Sequence, residues 1–289
     1  MMNSNKINVM ITGASGQLGQ CLQKLDGNYH NLNLCFYESE KLDITNKINL
    51  KVIFESKSFD YIINCAAYTN VELAEKETEK AYLINAEGVK NLAEICEMNN
   101  ATLIHISTDY VFDGQKKSPY LEEDATRPIN EYGKSKLLGE KYIKEIVNRY
   151  FIIRTSWLYS SYGNNFYNTI LKKAKIVNEL SIVSSERGTP TNANDLAGFI
   201  LQLISHKNMI HGLYHYSNLG EASWYDFAKE ILRLEGKLDS IKLEKTDNYP
   251  TFAERPKYSV LDKKKCLDLP DVCILNWKES LRILMNNRQ

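Results

Sequence analysis

The stretch Ile7-Asn8-Val9-Met10-Ile11-Thr12-Gly13-Ala14-Ser15-Gly16-Gln17-Leu18-Gly19, with Cys21-Leu22-Gln23-Lys24-Leu25 just beyond it, decides the fold. An apolar run, a glycine-rich turn and a mixed apolar-polar segment read as strand, tight turn and helix. Such a turn lets the backbone approach a pyrophosphate, and the helix amino terminus offers it free N–H groups and a positive dipole end. Gly13, Gly16 and Gly19 follow Gly-x-x-Gly-x-x-Gly spacing. That is longer than the Gly-x-Gly-x-x-Gly of the general dinucleotide fingerprint, so a longer turn is expected. A purely structural turn would share the local pattern.

Outward from this turn the chain alternates strand and helix. Leu32–Tyr37 reads as a second strand ending at Glu38, and Asp43-Ile44-Thr45 begins the run into a helix. Asp60–Asn64 reads as a strand running into Cys65, Ala66 and Ala67, small residues that leave room for a flat ligand. Val71 to Asn99 carries apolar residues at helical spacing, with its charges on a solvated face. Thr102–Ser107 is a strong strand with Thr108 at its carboxyl end, the edge where open parallel sheets bind ligands. Pro128–Glu131 opens a helix bearing Tyr132, Lys136 and Glu140, and Phe151–Arg154 is the next strand.

The pattern predicts an α/β protein: a Rossmann-type, doubly wound parallel sheet with a smaller mixed α/β lobe. Residues 1–160 are assigned to a dinucleotide-binding domain to which 192–218 return, and 161–289 mainly to a substrate-binding lobe. The loops at 159–165 and 188–191 read as walls of a site.

Lysine plus arginine balance aspartate plus glutamate, 36 against 36, so no electrostatic footprint for nucleic acid or an anionic membrane is present. A small molecule is the expected partner. The six cysteines form no Cys-x-x-Cys pair and are read as reduced core residues, with no metal site expected. Residues 1–6 lack the apolar region of a secretion signal, and no stretch reaches the ~18 apolar residues of a membrane span, so a cytoplasmic protein is expected.

Tyr132 and Lys136 lie four apart, on one face of a helix. A lysine ammonium beside a tyrosine favours the phenolate and should lower a pKa that starts near ~10, making the phenol a usable acid. An exposed helix face would show the same spacing.

Several blocks together resemble the extended short-chain dehydrogenase/reductase superfamily, and within it the dTDP-4-dehydrorhamnose reductases. They are Gly13-x-x-Gly16-Gln17-x-Gly19, Asn64–Thr69, Ser107–Phe112, Tyr132-Gly133-Lys134-Ser135-Lys136, Arg154–Trp157, Gly163–Phe166 and Gly188–Thr191. The resemblance implies reduction, by NADPH or NADH, of the C4 ketone of a nucleotide-linked 6-deoxy-4-keto-sugar. Tyr132 would donate the proton, Lys136 would hold the nicotinamide ribose, and Thr108 would hydrogen-bond the phenol and the substrate oxygen. Asp109 and Trp157 would line the sugar. Gly16, Gln17 and Leu18 would meet the pyrophosphate, Asp43 and Ile44 the adenine, and Ala66, Ala67, Tyr68 and Ile106 the middle of the cofactor.

Cys65 stands where many relatives have alanine, and Tyr68 where histidine is common. Glu38 could accept hydrogen bonds from a ribose diol and disfavour a 2′-phosphate, while nearby Lys41 blunts that preference. Arg255 is either a fork for the nucleotide diphosphate or an ordinary surface arginine. Trp157 is either a packing aromatic or a ligand-facing one, and His105 reads as a satisfied interior residue. The resemblance leaves room for a homodimer; some relatives hold magnesium between subunits, but its ligands are not matched here. An epimerase or dehydratase on the same scaffold, and a regulatory subunit like that of methionine adenosyltransferase, remain open alternatives.

Overall fold

Val9, Met10 and Ile11 are wholly buried because their strand, β1 (Ile7–Thr12), runs through the interior of a six-stranded parallel sheet. The structure, a computed structural model, describes residues 6–206, 209–247 and 250–288. Residues 1–5, part of the segment read above as lacking the apolar region of a secretion signal, lie outside the described residues. Around β1 stand β2 (Leu32–Tyr37), β3 (Tyr61–Asn64), β4 (Thr102–Thr108), β5 (Tyr150–Thr155) and the strand Gly212–His215. Their order is β2, β1, β3, β4, β5, then Gly212–His215. The chain steps from β1 to β2 on one side and returns to β3 on the other. That reversal is the point at which such sheets bind ligands, at their carboxyl ends.

Strands buried on both faces should read as continuous apolar runs whose side chains alternate between two layers. They do. Val9, Ile11, Ile63, Ile104 and Ile153 join one core with Leu18, Cys21 and Leu22 of α1 (Gln17–Lys24) and Leu196 and Ile200 of the helix Ala193–Ser205. Met10, Ile62, Leu103 and Ile152 join the other. This second layer adds Leu50 and Phe54 of α2 (Lys47–Ser56) and residues from the segment that follows β3.

That segment is not one helix. It divides into α3 (Val71–Ala74), α4 (Thr78–Tyr82), a π-helical turn (Leu83–Glu87) and α5 (Gly88–Met98). Asn70 caps α3 by accepting from Leu73 N–H, and the Glu77 backbone leaves the helical region. Inside the π turn buried Asn85 accepts from Tyr68 N–H at 2.9 Å and donates to Tyr68 O at 3.0 Å. Helical spacing in the sequence could not register this tertiary demand, a typical setting for a π turn. α6 (Glu131–Ile146) packs beside it, with Ser135 Oγ accepting from Asn85 at 3.1 Å.

A third core lies apart from the sheet. Tyr167 and Ile170 of α7 (Phe166–Lys173), Phe227 and Ile231 of the helix Trp224–Leu234, and Trp277 and Leu281 of the helix Trp277–Asn286 enclose Leu180. Leu180 belongs to a two-stranded parallel pair, Glu179–Val183 with Lys242–Thr246. The six cysteines are all free, with Cys21, Cys96 and Cys266 buried and Cys273 exposed. No helix among the described residues is long and apolar enough to cross a membrane.

Candidate active site

The sheet register itself assembles the first polar group. Thr12, Asn64 and His105 are direct neighbours across β1, β3 and β4. Thr12 Oγ1 donates to Asn64 Oδ1 at 2.7 Å, and Ala66 N–H donates to the same oxygen at 3.1 Å. With its oxygen so engaged, Asn64 presents Nδ2 to His105 Nδ1, 3.1 Å away. The proton of a neutral imidazole then sits on Nε2. Burial holds His105 well below the ordinary histidine range, and the Lys136 charge adds to that. Its Nε2 lies 3.4 Å from Lys136 Nζ, which donates to Ile106 O at 2.6 Å. Burial lowers the Lys136 pKa to about 8, against an opposing pull from Glu140 and Cys65.

Tyr132 is set by the start of α6. Asn130 caps the helix, its side chain accepting from Gly133 N–H at 2.8 Å. Gly133 is required there, since a Cβ would stand 2.2 Å from Tyr110 O. That approach brings the Tyr132 ring edge-on to Tyr110, with centroids 5.8 Å apart at 76°. One expectation is corrected here. The Tyr132 pKa is raised, to about 12, because burial outweighs the lowering effect of the Thr108 hydroxyl, and the Asp109 charge raises it further. Lys136 does not offset this, for its ammonium is held by the Ile106 carbonyl and itself loses charge easily. The phenol therefore stays protonated near neutrality, as a proton donor must.

Thr108 ends β4 and caps a 3-10 turn (Asp109–Val111), accepting from Tyr110 N–H at 3.1 Å. Its hydroxyl donates to Asp109 Oδ1 at 3.1 Å. Asp109 is buried, its Oδ2 has no hydrogen-bond partner among the described residues, and burial raises its pKa to about 7 against hydrogen bonds from Ser259 and Thr108. A buried, unpaired carboxyl oxygen is an invitation to a ligand hydroxyl.

A cavity of about 560 Å³ is lined by Asn64, Thr108, Asp109, Tyr132 and Lys136 together with Gly16, Gln17 and Leu18 of the glycine turn. Ala67, Ile106, Trp157 and Arg255 complete the part of the lining that the sequence singled out. Other residues singled out in the sequence sit behind it or beyond it. Gly13, with φ +63°, would drive a Cβ to 2.6 Å from Ala66 N, and Gly19 backs onto Ala14. Tyr68 is buried and shares a hydrogen bond with Glu77 at 3.2 Å. Ile44 is buried beneath Gly88, while Glu38 and Asp43 are exposed past the end of β2, outside the cavity wall.

Arg255 is no free surface residue: its Nη2 donates to Glu72 Oε1 at 2.8 Å, and its buried Nε has no partner. Glu72 also accepts from Phe252 N–H at 2.7 Å, fastening that segment to α3. Trp157 has a positive φ of 47° and stacks on Trp224, rings 3.5 Å apart and 5° from parallel. Trp224 was missed by sequence reasoning, because it opens a helix of the third core with no motif around it. Its indole donates to Glu186 Oε2 at 2.9 Å. The polar contact of His105 with Lys136 was likewise hidden inside an apolar strand; a histidine in such a run was the available signal.

The glycine turn fits a dinucleotide. Gly16 caps α1 without any side-chain hydrogen bond, so no side chain competes for the first N–H groups of the helix. Fold and cavity are those of the short-chain dehydrogenase/reductase class. Residues 7–289 match the family described as RmlD substrate binding domain. The dTDP-4-dehydrorhamnose reductase of Aggregatibacter actinomycetemcomitans is 40% identical, over 95% of this chain and 97% of its own. The spore coat polysaccharide biosynthesis protein SpsK of Bacillus subtilis is 39% identical, over 97% of each. The crystal structure of dTDP-4-dehydrorhamnose reductase from Bacillus anthracis, in complex with NADP, superposes with a TM-score of 0.93 at 39% identity, covering 98% of this chain and 99% of that one. The chain belongs to the dTDP-4-dehydrorhamnose reductase family.

Proposed function

We propose that this protein reduces dTDP-4-dehydro-L-rhamnose to dTDP-L-rhamnose with NADPH or NADH, a step that supplies an activated sugar for cell-surface polysaccharide. The observation that carries this reading is the convergence of Thr108, Tyr132 and Lys136 on one cavity that begins at the glycine turn. The relatives named dTDP-4-dehydrorhamnose reductase support reduction over epimerisation, dehydration or a regulatory role. The Bacillus anthracis complex with NADP supports NADPH as one form of the cofactor.

Gly13, Gly16, Gln17, Leu18 and Gly19 would hold the pyrophosphate, through backbone N–H groups at the positive end of α1. Glu38, Asp43, Ile44, Ala66, Ala67, Tyr68 and Ile106 are assigned to the adenosine and middle portions, and Lys136 to the nicotinamide ribose. When bound, the reduced nicotinamide supplies a hydride to the C4 carbonyl carbon. Charge then develops on the carbonyl oxygen. Tyr132 gives its proton to that oxygen while the Thr108 hydroxyl provides a second hydrogen bond. A phenol of pKa about 12 still lies well below an alkoxide, so the transfer runs downhill. In this arrangement Lys136 does not lower the phenol's pKa, and the role assigned to it is to hold the nicotinamide ribose. Asp109 and Trp157 would bind the sugar, Arg255 the diphosphate, and the third core would carry the nucleotide-sugar lobe.

Incubating the protein with dTDP-4-keto-6-deoxy-L-mannose and either reduced nicotinamide should consume the cofactor stoichiometrically and yield dTDP-L-rhamnose, identified by NMR. Conversion to an epimeric keto-sugar without net cofactor oxidation would establish an epimerase instead. Tyr132→Phe should lower turnover by roughly 10² to 10⁴ while cofactor still binds.

A further inference from the structure

Gln17 opens α1, where its main chain stands at the anion-binding end of the helix. Its side chain reaches a segment some 140 residues away. Nε2 donates to Leu158 O at 3.3 Å; Oε1 accepts from Ser160 Oγ at 3.4 Å and from Asn165 Nδ2 at 3.3 Å. All the polar atoms of this amide are thus spent on one loop.

The loop is internally well tied. Ser160 Oγ accepts from Tyr162 N–H at 3.1 Å, and Asn165 Nδ2 donates to Ser160 O and Tyr162 O, both at 3.0 Å. Asn165 Oδ1 also caps α7, accepting from Asn168 N–H at 2.9 Å. The segment is therefore tied into one piece, and its first two residues, Leu158 and Tyr159, pair as a short strand with Thr191 and Asn192. Trp157, at the wall of the cavity, immediately precedes it; Phe166, which packs on Trp224 with centroids 4.6 Å apart, immediately follows. One residue consequently joins the start of α1 to the segment that follows Trp157, and both line the cavity.

We propose that Gln17 is a positioning residue that couples the two binding events: a dinucleotide seated on the glycine turn fixes Gln17, and Gln17 fixes the 158–165 loop in the arrangement that accepts the sugar nucleotide. Such coupling is reciprocal, so each ligand tightens the other by the same factor. Without the bridge, the loop would have to be ordered by the sugar nucleotide alone. The inference rests on the reading of the cavity as a site for both ligands.

The test is calorimetric titration of NADP⁺ into the whole protein, with and without saturating dTDP, the nucleoside diphosphate part of the substrate. The readout is the ratio of the two cofactor dissociation constants. In the wild type, dTDP should tighten NADP⁺ by about fivefold or more. Gln17→Met, which keeps length and bulk but loses all three hydrogen bonds, should bring that ratio within about twofold of unity. Ser160→Ala, which cuts the bridge from its far side, should reduce the ratio while leaving NADP⁺ affinity in the absence of dTDP unchanged. A wild-type ratio of one, or a full ratio in Gln17→Met, overturns the coupling and leaves the functional reading intact. Failure of the wild type to bind either ligand overturns both.

Discussion

Lys136 and Arg154 are both almost wholly buried, 2% and 1% exposed, and both are served by α6, yet their surroundings have little in common. Arg154 meets Glu140 as a fork, Nε to Oε1 at 2.8 Å and Nη2 to Oε2 at 2.7 Å. Ser107 Oγ adds a bond to Glu140 Oε1 at 2.6 Å, and the guanidinium lies over the Phe112 ring, 5.1 Å from its centroid. Lys136 donates to the Ile106 carbonyl, lies beside the N–H of the His105 imidazole, and among the described residues has no carboxylate within salt-bridge distance. A buried charge with a full set of partners is fixed in place; one with an incomplete set keeps a proton that can move. The first serves the fold, and the second is the one that the proposed function assigns to chemistry.

The largest effect should come from the fold side. Arg154→Met leaves Glu140 buried without its partner and should cost about 3–5 kcal/mol, read from urea unfolding. An unchanged midpoint would remove the contrast. Lys136→Met should do the reverse: turnover falls by about 10²-fold or more, with a weakened cofactor dissociation constant, while the melting temperature holds or rises because an expensive buried ammonium is gone. A collapse in melting temperature would make Lys136 structural too.

A smaller effect sharpens the same point through pH. With a folded pKa of about 8 against 10.5 when free, Lys136 binds fewer protons in the folded chain than in the unfolded one between those values. Stability should therefore rise with pH across that window, and Lys136→Met should flatten the rise, measured as the difference between two pH series of urea midpoints. An identical slope in both proteins would show that the lysine titrates normally. The smallest change expected is Asn130→Ala, which removes the α6 cap and should cost about 1 kcal/mol, with only a modest loss of turnover. A loss as large as that of Arg154→Met would move the start of α6 into the buried network.

The sequence revealed most where local chemistry and position coincide. The run Ile7–Gly19 discloses its strand, turn and helix because apolar pattern, glycine spacing and chain order agree, and Thr108 is legible because it ends a strand of unmistakable pattern. Tyr132 and Lys136 were legible as a pair, but not the direction of the phenol's shift. That depends on burial and on the Ile106 carbonyl, and neither is written in an i, i+4 spacing. The π turn around Asn85 escaped for a like reason, since its cause is a loop seventeen residues earlier. Trp224 and the Glu72–Arg255 pair join segments distant along the chain, where spacing carries no information.

The chain has three tryptophans, and two of them, Trp157 and Trp224, form the near-parallel stack at the cavity wall, while Trp277 is sealed in the third core. Indoles at 3.5 Å couple their transitions, so the native protein carries an optical gauge at the wall of its own cavity. Prising the pair apart would change near-ultraviolet circular dichroism and emission together, against a steady background from Trp277. Arrival of a ligand on that wall can thus be followed in real time without any attached dye.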